Sequence, residues 1–220
     1  MTANPASRLS TRLPAELPLF PLPGALLLPG GQLPLNIFEP RYLRMVDDAL
    51  GGARMIGMIQ PTDESDGDRP RLFNVGCAGR ISSFVETSDG RYLITLNGQR
   101  RFRVACEISA DTPYRLAEPD WNAYDIDAHS DDTGKNVDRD AFMAVMQHYL
   151  DAEGLETDWD EASAASIDAL VVSLAMGCPF PPNEKQALLE AETVEARAAC
   201  LMALMEMAGG DDNGGDQMLQ

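Results

Sequence analysis

Residues 17–42, LPLFPLPGALLLPGGQLPLNIFEPRY, decide the reading of this chain. Seven of its fifteen prolines fall between Pro14 and Pro40, among the apolar runs Leu17 to Phe20, Ala25 to Leu28 and Leu33 to Phe38. Proline has no N–H for a ladder and holds φ near about −65°, so neither a central strand nor a helix interior tolerates this density. The stretch predicts very short edge strands and extended linkers, with tight turns at Gly24, Gly30 and Gly31. Pro40 suits a first helical turn, and Tyr42, Leu43, Val46 and Leu50 follow at helical spacing.

Residues 54–121 are strand-like. Candidate strands are Arg54 to Ile59, Leu72 to Glu86, Arg91 to Asn97, Arg101 to Ile108 and Pro113 to Trp121. Phe102, Val104, Cys106 and Ile108 alternate with Arg101, Arg103, Ala105 and Glu107, the pattern of a half-buried strand. Ser88-Asp89-Gly90 has hairpin-turn chemistry, and Asn97-Gly98 marks a second turn or a bulge. The loop Thr62 to Pro70 is acidic and lacks apolar anchors, so it is expected to be mobile. Short strands with one inserted helix predict a small, partly open barrel, and Trp121 is expected where barrel and helices meet.

Beyond a polar linker, Asp125 to Val137, the period changes to helical. Phe142, Val145, Met146 and Tyr149 mark one helix. A second is expected to start near Asp158 and to run through Ile167, Leu170, Val171 and Leu174. Cys178 to Pro182 stops it. Asn183, with Gln186 three residues on, is expected to cap a short helix through Leu189. Thr193 caps a last one, whose buried face is Val194, Ala198, Leu201, Met205 and Ala208. Met205 and Met207 could alternatively offer an adaptable contact. The Gly/Asp/Asn-rich tail is expected to be disordered. The organisation is therefore an N-terminal arm, 1–16; a β-rich subdomain, 17–122; a linker, 123–137; an α-helical subdomain, 138–208; and a tail, 209–220.

Charge divides along the same line. Residues 1–122 carry 13 arginines, no lysine and 14 acids; residues 123–220 carry 4 basic residues and 21 acids, so −1 and −17 make up the net −18. Such a surface repels phosphates and gains nothing from counterion release on nucleic acid. No apolar run approaches the ~18 residues of a membrane helix, and no apolar stretch follows Arg8 and Arg12 as a secretory signal requires. Cys77, Cys106, Cys178 and Cys200 form no Cys-x-x-Cys and lie in apolar runs, which predicts buried free thiols in a reducing cytoplasm.

The sequence shows no recognisable catalytic or metal-binding set. Gly134-Lys135 lacks the flanking residues of a phosphate loop, since Asn136 stands where Ser or Thr is needed. Lys185 reads as a surface lysine and Lys135 as a linker lysine, neither desolvated enough to act as a base. His129 and His148 belong to no ligand-spaced cluster. No cofactor is expected.

Several motifs, in order, resemble the N-terminal substrate-binding domain of Lon protease. They are Pro18 to Leu22, Pro29-Gly30 and Pro34 to Tyr42 (PLNIFEPRY); Val75 to Ile81 (VGCAGRI); Gly98 to Val104 (GQRRFRV); Pro181 to Glu190 (PPNEKQALLE); and Glu195 to Arg197. Together they cover roughly residues 17–208. The resemblance implies an α+β fold, with a PUA-like β pseudo-barrel followed by a helical bundle, in a free-standing bacterial member of the family. It implies recognition of unfolded or degron-bearing polypeptides, or of a dedicated protein partner, without the ATPase and protease domains and so without enzymatic activity. A PUA-like nucleic-acid binder and a small-ligand or hydrolytic protein are the alternatives; charge disfavours the first.

Two readings compete at the candidate peptide-binding residues. Phe38, Glu39, Arg41 and Tyr42 could line a peptide surface, Arg41 engaging a carboxylate and Tyr42 an apolar group. The favoured reading is structural: Phe38 staples the helix start, Glu39 favours its positive end, and Tyr42 is core. Arg80, Arg100, Arg101 and Arg103 could form a basic strip for an acidic partner, or pair with the acidic helical half.

Overall fold

The computed structural model describes residues 13–62, 70–129 and 134–210. Most of the acidic loop, residues 130–133 of the expected linker, most of the N-terminal arm and most of the tail lie outside the described residues.

The fold is α+β. Six strands, β1 (Leu17–Pro21), β2 (Gln32–Ile37), β3 (Met55–Pro61), β4 (Leu72–Glu86), β5 (Tyr92–Ile108) and β6 (Arg115–Asp120), pair in the order β2-β5-β4-β3-β1-β6. Strand β6 also pairs with β5, so five strands close a ring and β2 lies outside it on β5. The ring is closed, where a partly open barrel was expected. Arg91 to Asn97 and Arg101 to Ile108 are one strand, because Gly98 makes a bulge: the register shifts between Ala78 and Gly79 opposite it. A Cβ at Gly98 would lie 1.9 Å from the Leu28 carbonyl oxygen, so only glycine lets the β1–β2 connection cross there.

Strand β1 corrects the reading of the opening stretch. It is not an edge strand but lies between β3, to which it is parallel, and β6, to which it is antiparallel. The two neighbours overlap only at Leu19: β6 pairs with Leu17 to Leu19 and β3 with Leu19 to Pro21. Pro18 and Pro21 are each paired on one side only, so the strand is interior without asking either proline for a second ladder.

Helix α1 (Pro40–Gly51) opens on Pro40 as expected and buries Tyr42, Met45, Val46 and Ala49 against the barrel. After β6 come a 3-10 turn (Asn122–Tyr124) and a short helix, α2 (Ile126–His129), where a polar linker was expected. Then follow α3 (Arg139–Ala152), α4 (Trp159–Ala164), α5 (Ile167–Gly177), α6 (Pro182–Glu190) and α7 (Val194–Gly210). Asp138 and Asp158 cap α3 and α4 with their carboxylates, and Thr193 caps α7.

The helix expected from Asp158 onward is two helices. The Arg139 guanidinium takes the Ala162 and Ser163 carbonyls at 3.1 and 2.8 Å, which ends α4, and the chain is extended at Ala165 and Ser166 before α5. Helix α6 begins at Pro182 with no side-chain cap, because Gln186 turns inward instead of forming the expected capping box.

One continuous core joins barrel and helices: Leu27, Val46, Ile56 and Val75 pack in the same cluster as Phe142, Tyr149, Val171, Leu188 and Leu201. A smaller cluster of Leu17, Leu19, Met55, Ile59, Ala78, Phe102 and Ala117 fills the rest of the barrel. Trp121 packs on this second cluster, edge-on to Phe102 and donating to the Pro14 carbonyl at 3.0 Å, not at the barrel–helix junction.

Candidate functional site

The six residues singled out in the sequence do not form one surface. Phe38 lies between β2 and α1 and is 62% exposed, so it staples nothing. Glu39 and Arg41 pair with each other at 2.8 Å and remain partly exposed. Tyr42 is core: it contacts the Phe20 ring, lies under the Arg41 guanidinium, and burial raises its phenol pKa. Arg80 donates to the Ala53 carbonyl at 3.0 Å, holding the turn before β3. Arg101 is only 2% exposed, which removes it from any peptide surface.

Arg101 is instead the centre of a clamp. Its Nε and Nη2 grip the Asp127 carboxylate, with a shortest contact of 2.7 Å, and its own backbone N–H donates to the same group at 2.9 Å. The remaining N–H groups reach the Leu189, Ala191 and Glu192 carbonyls, and the Tyr124 ring lies 4.3 Å from the guanidinium carbon. Arg197 takes the Leu188 and Ala191 carbonyls at 2.8 and 3.1 Å. Two cations thus occupy the negative end of α6, and a fork of five donors suits this many acceptors in one plane. Arg100 is similarly engaged, by the Trp121 carbonyl and Asp125. Arg103 stays exposed. Of the two readings of these arginines, pairing with the acidic half holds for Arg100 and Arg101, which engage Asp125 and Asp127 and so are not part of a basic strip.

Two glutamines make a second tie between barrel and helices. Gln60 accepts from the Gly24 N–H at 3.1 Å and donates to the Pro182 carbonyl at 3.0 Å. Gln186 donates to the Val75 carbonyl at 3.2 Å and to Glu190 at 2.7 Å. Lys185, read as a surface residue, is buried: its ammonium donates to the Met176 carbonyl at 3.1 Å near the end of α5, and desolvation lowers its pKa. It faces Cys178, whose thiol burial pushes up to about 11. Cys77 is buried as well, but Cys200 is half-buried and Cys106 exposed, against the expectation for all four cysteines; at Cys106, β5 runs past the core. Met205 is buried and Met207 exposed. Among the described residues, no group of three His, Cys, Asp or Glu side chains is placed to hold a metal ion, and no helix is long and apolar enough to cross a membrane.

Exposed apolar side chains gather on a flap of the sheet. Strand β3 accompanies β4 only as far as Arg80, so β4 from Ile81 to Glu86 projects beyond it, backed by β5 and then β2. On one face of this flap Val85 lies opposite Leu93, 54% and 44% exposed. On the other face Phe84, partly exposed, meets the Tyr92 ring edge-on at 4.9 Å. Phe38 follows directly from the β2 end of the same flap. A cleft of about 600 Å³ separates the loop Pro29 to Leu33 from the α5 face that carries Asp168, Val172, Ser173 and Met176. Phe84, Val85 and Leu93 escaped sequence reasoning, because an apolar pair beside a hairpin turn reads as core unless the neighbouring strand is known to be shorter.

The architecture is thus a closed mixed sheet carrying a helical second part, with exposed apolar side chains on the extension of β4 and β5. The chain belongs to the ATP-dependent protease La (LON) substrate-binding domain family, whose model matches residues 16–207. It is 27% identical to Lon protease 2 of Sorangium cellulosum over 213 residues, which cover 93% of this chain and 26% of that protein. Against Lon protease 2 of Myxococcus xanthus it is 27% identical, covering 88% of this chain and 24% of the relative. The chain thus spans about a quarter of the length of these relatives. In structure it resembles the Lon N-terminal domain protein from Xanthomonas campestris, with a TM-score of 0.60, 24% identity, and 86% of this chain and 97% of that one covered. It resembles the N-terminal domain of the Mycobacterium avium complex Lon protease equally, with a TM-score of 0.60, 15% identity, and 87% and 98% covered.

Proposed function

We propose that this chain binds unfolded or apolar-rich polypeptide segments on its barrel, turns over no ATP and cleaves no peptide bond itself, and works in the cytoplasm. The observation that carries the reading is the apolar flap: Phe38, Val85 and Leu93 are exposed in one region of the half of the chain with a net charge of −1. Single exposed apolar residues are ordinary on a protein surface, whereas a group of them on one sheet extension marks a contact surface. Membership in a substrate-binding family supports the same reading. Of the residues proposed from sequence, Phe38, Glu39 and Arg41 remain at the surface and adjoin this region, while Tyr42 and Arg101 serve the core.

Apolar burial and main-chain hydrogen bonds depend weakly on salt, whereas phosphate binding releases counterions and falls steeply with it. Fluorescence anisotropy with a labelled unfolded peptide and a labelled single-stranded RNA, each at two salt concentrations, tests the assignment. The expected result is peptide binding that changes little with salt, and no RNA binding. Salt-sensitive RNA binding with a silent peptide would reverse it.

A further inference from the structure

We propose that the open edge of β4, at Phe84 to Glu86, takes up an extended polypeptide as an added antiparallel strand. This rests on the polypeptide-binding reading above and specifies how the segment is held. The hydrogen-bond register identifies the free groups. Thr87 N–H donates to the Arg91 carbonyl at 2.9 Å, so along β4 the backbone groups of Thr87 and Val85 point towards β5. Those of Phe84 and Glu86 point the other way, where β3 has already ended. Every residue from Ser82 to Glu86 is exposed.

The other open edge of the sheet contrasts with it. Gly98 N–H donates to the Gly31 carbonyl at 2.8 Å, which turns Leu33, Leu35 and Ile37 of β2 towards β5 and Gln32, Pro34 and Asn36 outward. Pro34 therefore stands in the middle of the outward set, where its missing N–H blunts strand addition. The β4 edge has no proline and no lysine. Its backbone donors and acceptors are unspecific for side chains, while Phe84 on one face and Val85 on the other favour apolar residues in the added strand.

Charge biases the choice of occupant while main-chain hydrogen bonds and apolar contacts carry the affinity, and the antiparallel direction follows that of β3 on the same edge. The exposed Glu86 closes one end of the edge, and Arg54, whose carbonyl accepts the Ile81 N–H at 2.9 Å, marks the other. An antiparallel guest places its N-terminal part beside Glu86, so Lys or Arg belongs there. A second copy of this chain would bring −18 against −18, whereas a cationic, apolar segment meets attraction.

The probe is a short labelled peptide of alternating valine and threonine with lysines towards its N-terminus, titrated onto the full chain. N-methylating the backbone nitrogens of one alternate set of residues should weaken binding about tenfold or more, and methylating the other set should change it less than about twofold. Phe84→Pro removes the outward N–H and should lose binding about tenfold further than Phe84→Ala, which keeps it. Equal effects of the two methylated sets, or of the two Phe84 variants in folded protein, overturn strand addition. The peptide comparison uses unaltered protein, so it decides the matter even where Phe84→Pro fails to fold. A dimer in sedimentation that Phe84→Pro dissociates overturns the proposal in favour of a second copy. If the unaltered chain binds neither this peptide nor any unfolded one, the polypeptide-binding reading fails first; binding that ignores the methylation pattern defeats the strand-addition proposal alone.

Discussion

Two stretches of β5 invert the usual distribution of side chains. Towards its middle Arg101 is 2% exposed, while near its start Leu93 is 44% exposed. The arginine is inside because everything it must surrender to the core is returned: a carboxylate, three carbonyls and an aromatic face meet its guanidinium. The leucine is outside because the sheet runs on past β3 there as β4, β5 and β2 alone, and Leu93 and Val85 share the face left exposed. Burial is decided by which partners the topology supplies, not by hydropathy residue by residue. The first stretch ties the helices to the barrel; the second stays exposed, as the proposed polypeptide contact requires.

The largest effect is expected at the buried stretch. Arg101→Ala leaves Asp127 and the α6 carbonyls without their cation, a loss of about 3–5 kcal/mol by analogy with other broken buried pairs. Denaturant unfolding should show it as a lower midpoint. The double variant Arg101→Met with Asp127→Leu should recover much of that loss, because no lone charge stays buried. A change under about 1 kcal/mol in Arg101→Ala would show that the clamp does not hold the two halves together.

Alkaline pH should act next, through two neighbours with opposite signs. The Cys178 pKa is raised by burial, from an ordinary 9.0 to about 11, so its stabilising contribution is complete below pH 9 and is lost as pH rises through about 11. Desolvation lowers the Lys185 pKa below its ordinary 10.5, so the unfolded chain holds the extra proton in that window and stability rises with pH up to 10.5. In urea titrations between pH 8 and about 11, Lys185→Met should therefore steepen the alkaline loss and Cys178→Ala should flatten it. The same slope in both variants would show that neither group sets the alkaline dependence.

The smallest effect on folding is expected at the exposed stretch. Val85→Ser combined with Leu93→Ser should change unfolding free energy by no more than about 0.5 kcal/mol per site, as for ordinary surface positions, yet weaken capture of an unfolded peptide. Calorimetry of folding and anisotropy of binding on the same preparation separate the two. Lost stability with unchanged binding would make the flap a structural element only.

Much of the architecture could be read from residue periodicity and punctuation. Leu72 to Glu86 is strand over the range read from the sequence, and Pro40 opens its helix as its φ and missing N–H dictate. What failed did so where a residue's role depends on distant partners. The prolines of β1 suggested an edge, but staggered neighbours spare each of them a second ladder. Gln186 looked like a cap and Lys185 like a surface charge, because the carbonyls of Val75 and Met176 that receive them are remote in sequence or at the end of another helix. Arg101 was visible as a charge on an alternating strand; its acceptors at Asp127 and residues 189–192 become neighbours only on folding. Of the candidate site, Phe38 was accessible to sequence reasoning, while the flap needed the lengths of β3 and β4 side by side.

Amide hydrogen exchange, with and without an unfolded apolar peptide, tests the division of labour most directly. Slower exchange is expected over residues 81–96, most of all at the outward-facing Phe84 and Glu86 amides, with unchanged rates through α5, α6 and α7. Protection confined to the helical half, or none anywhere while the peptide is bound, would contradict it.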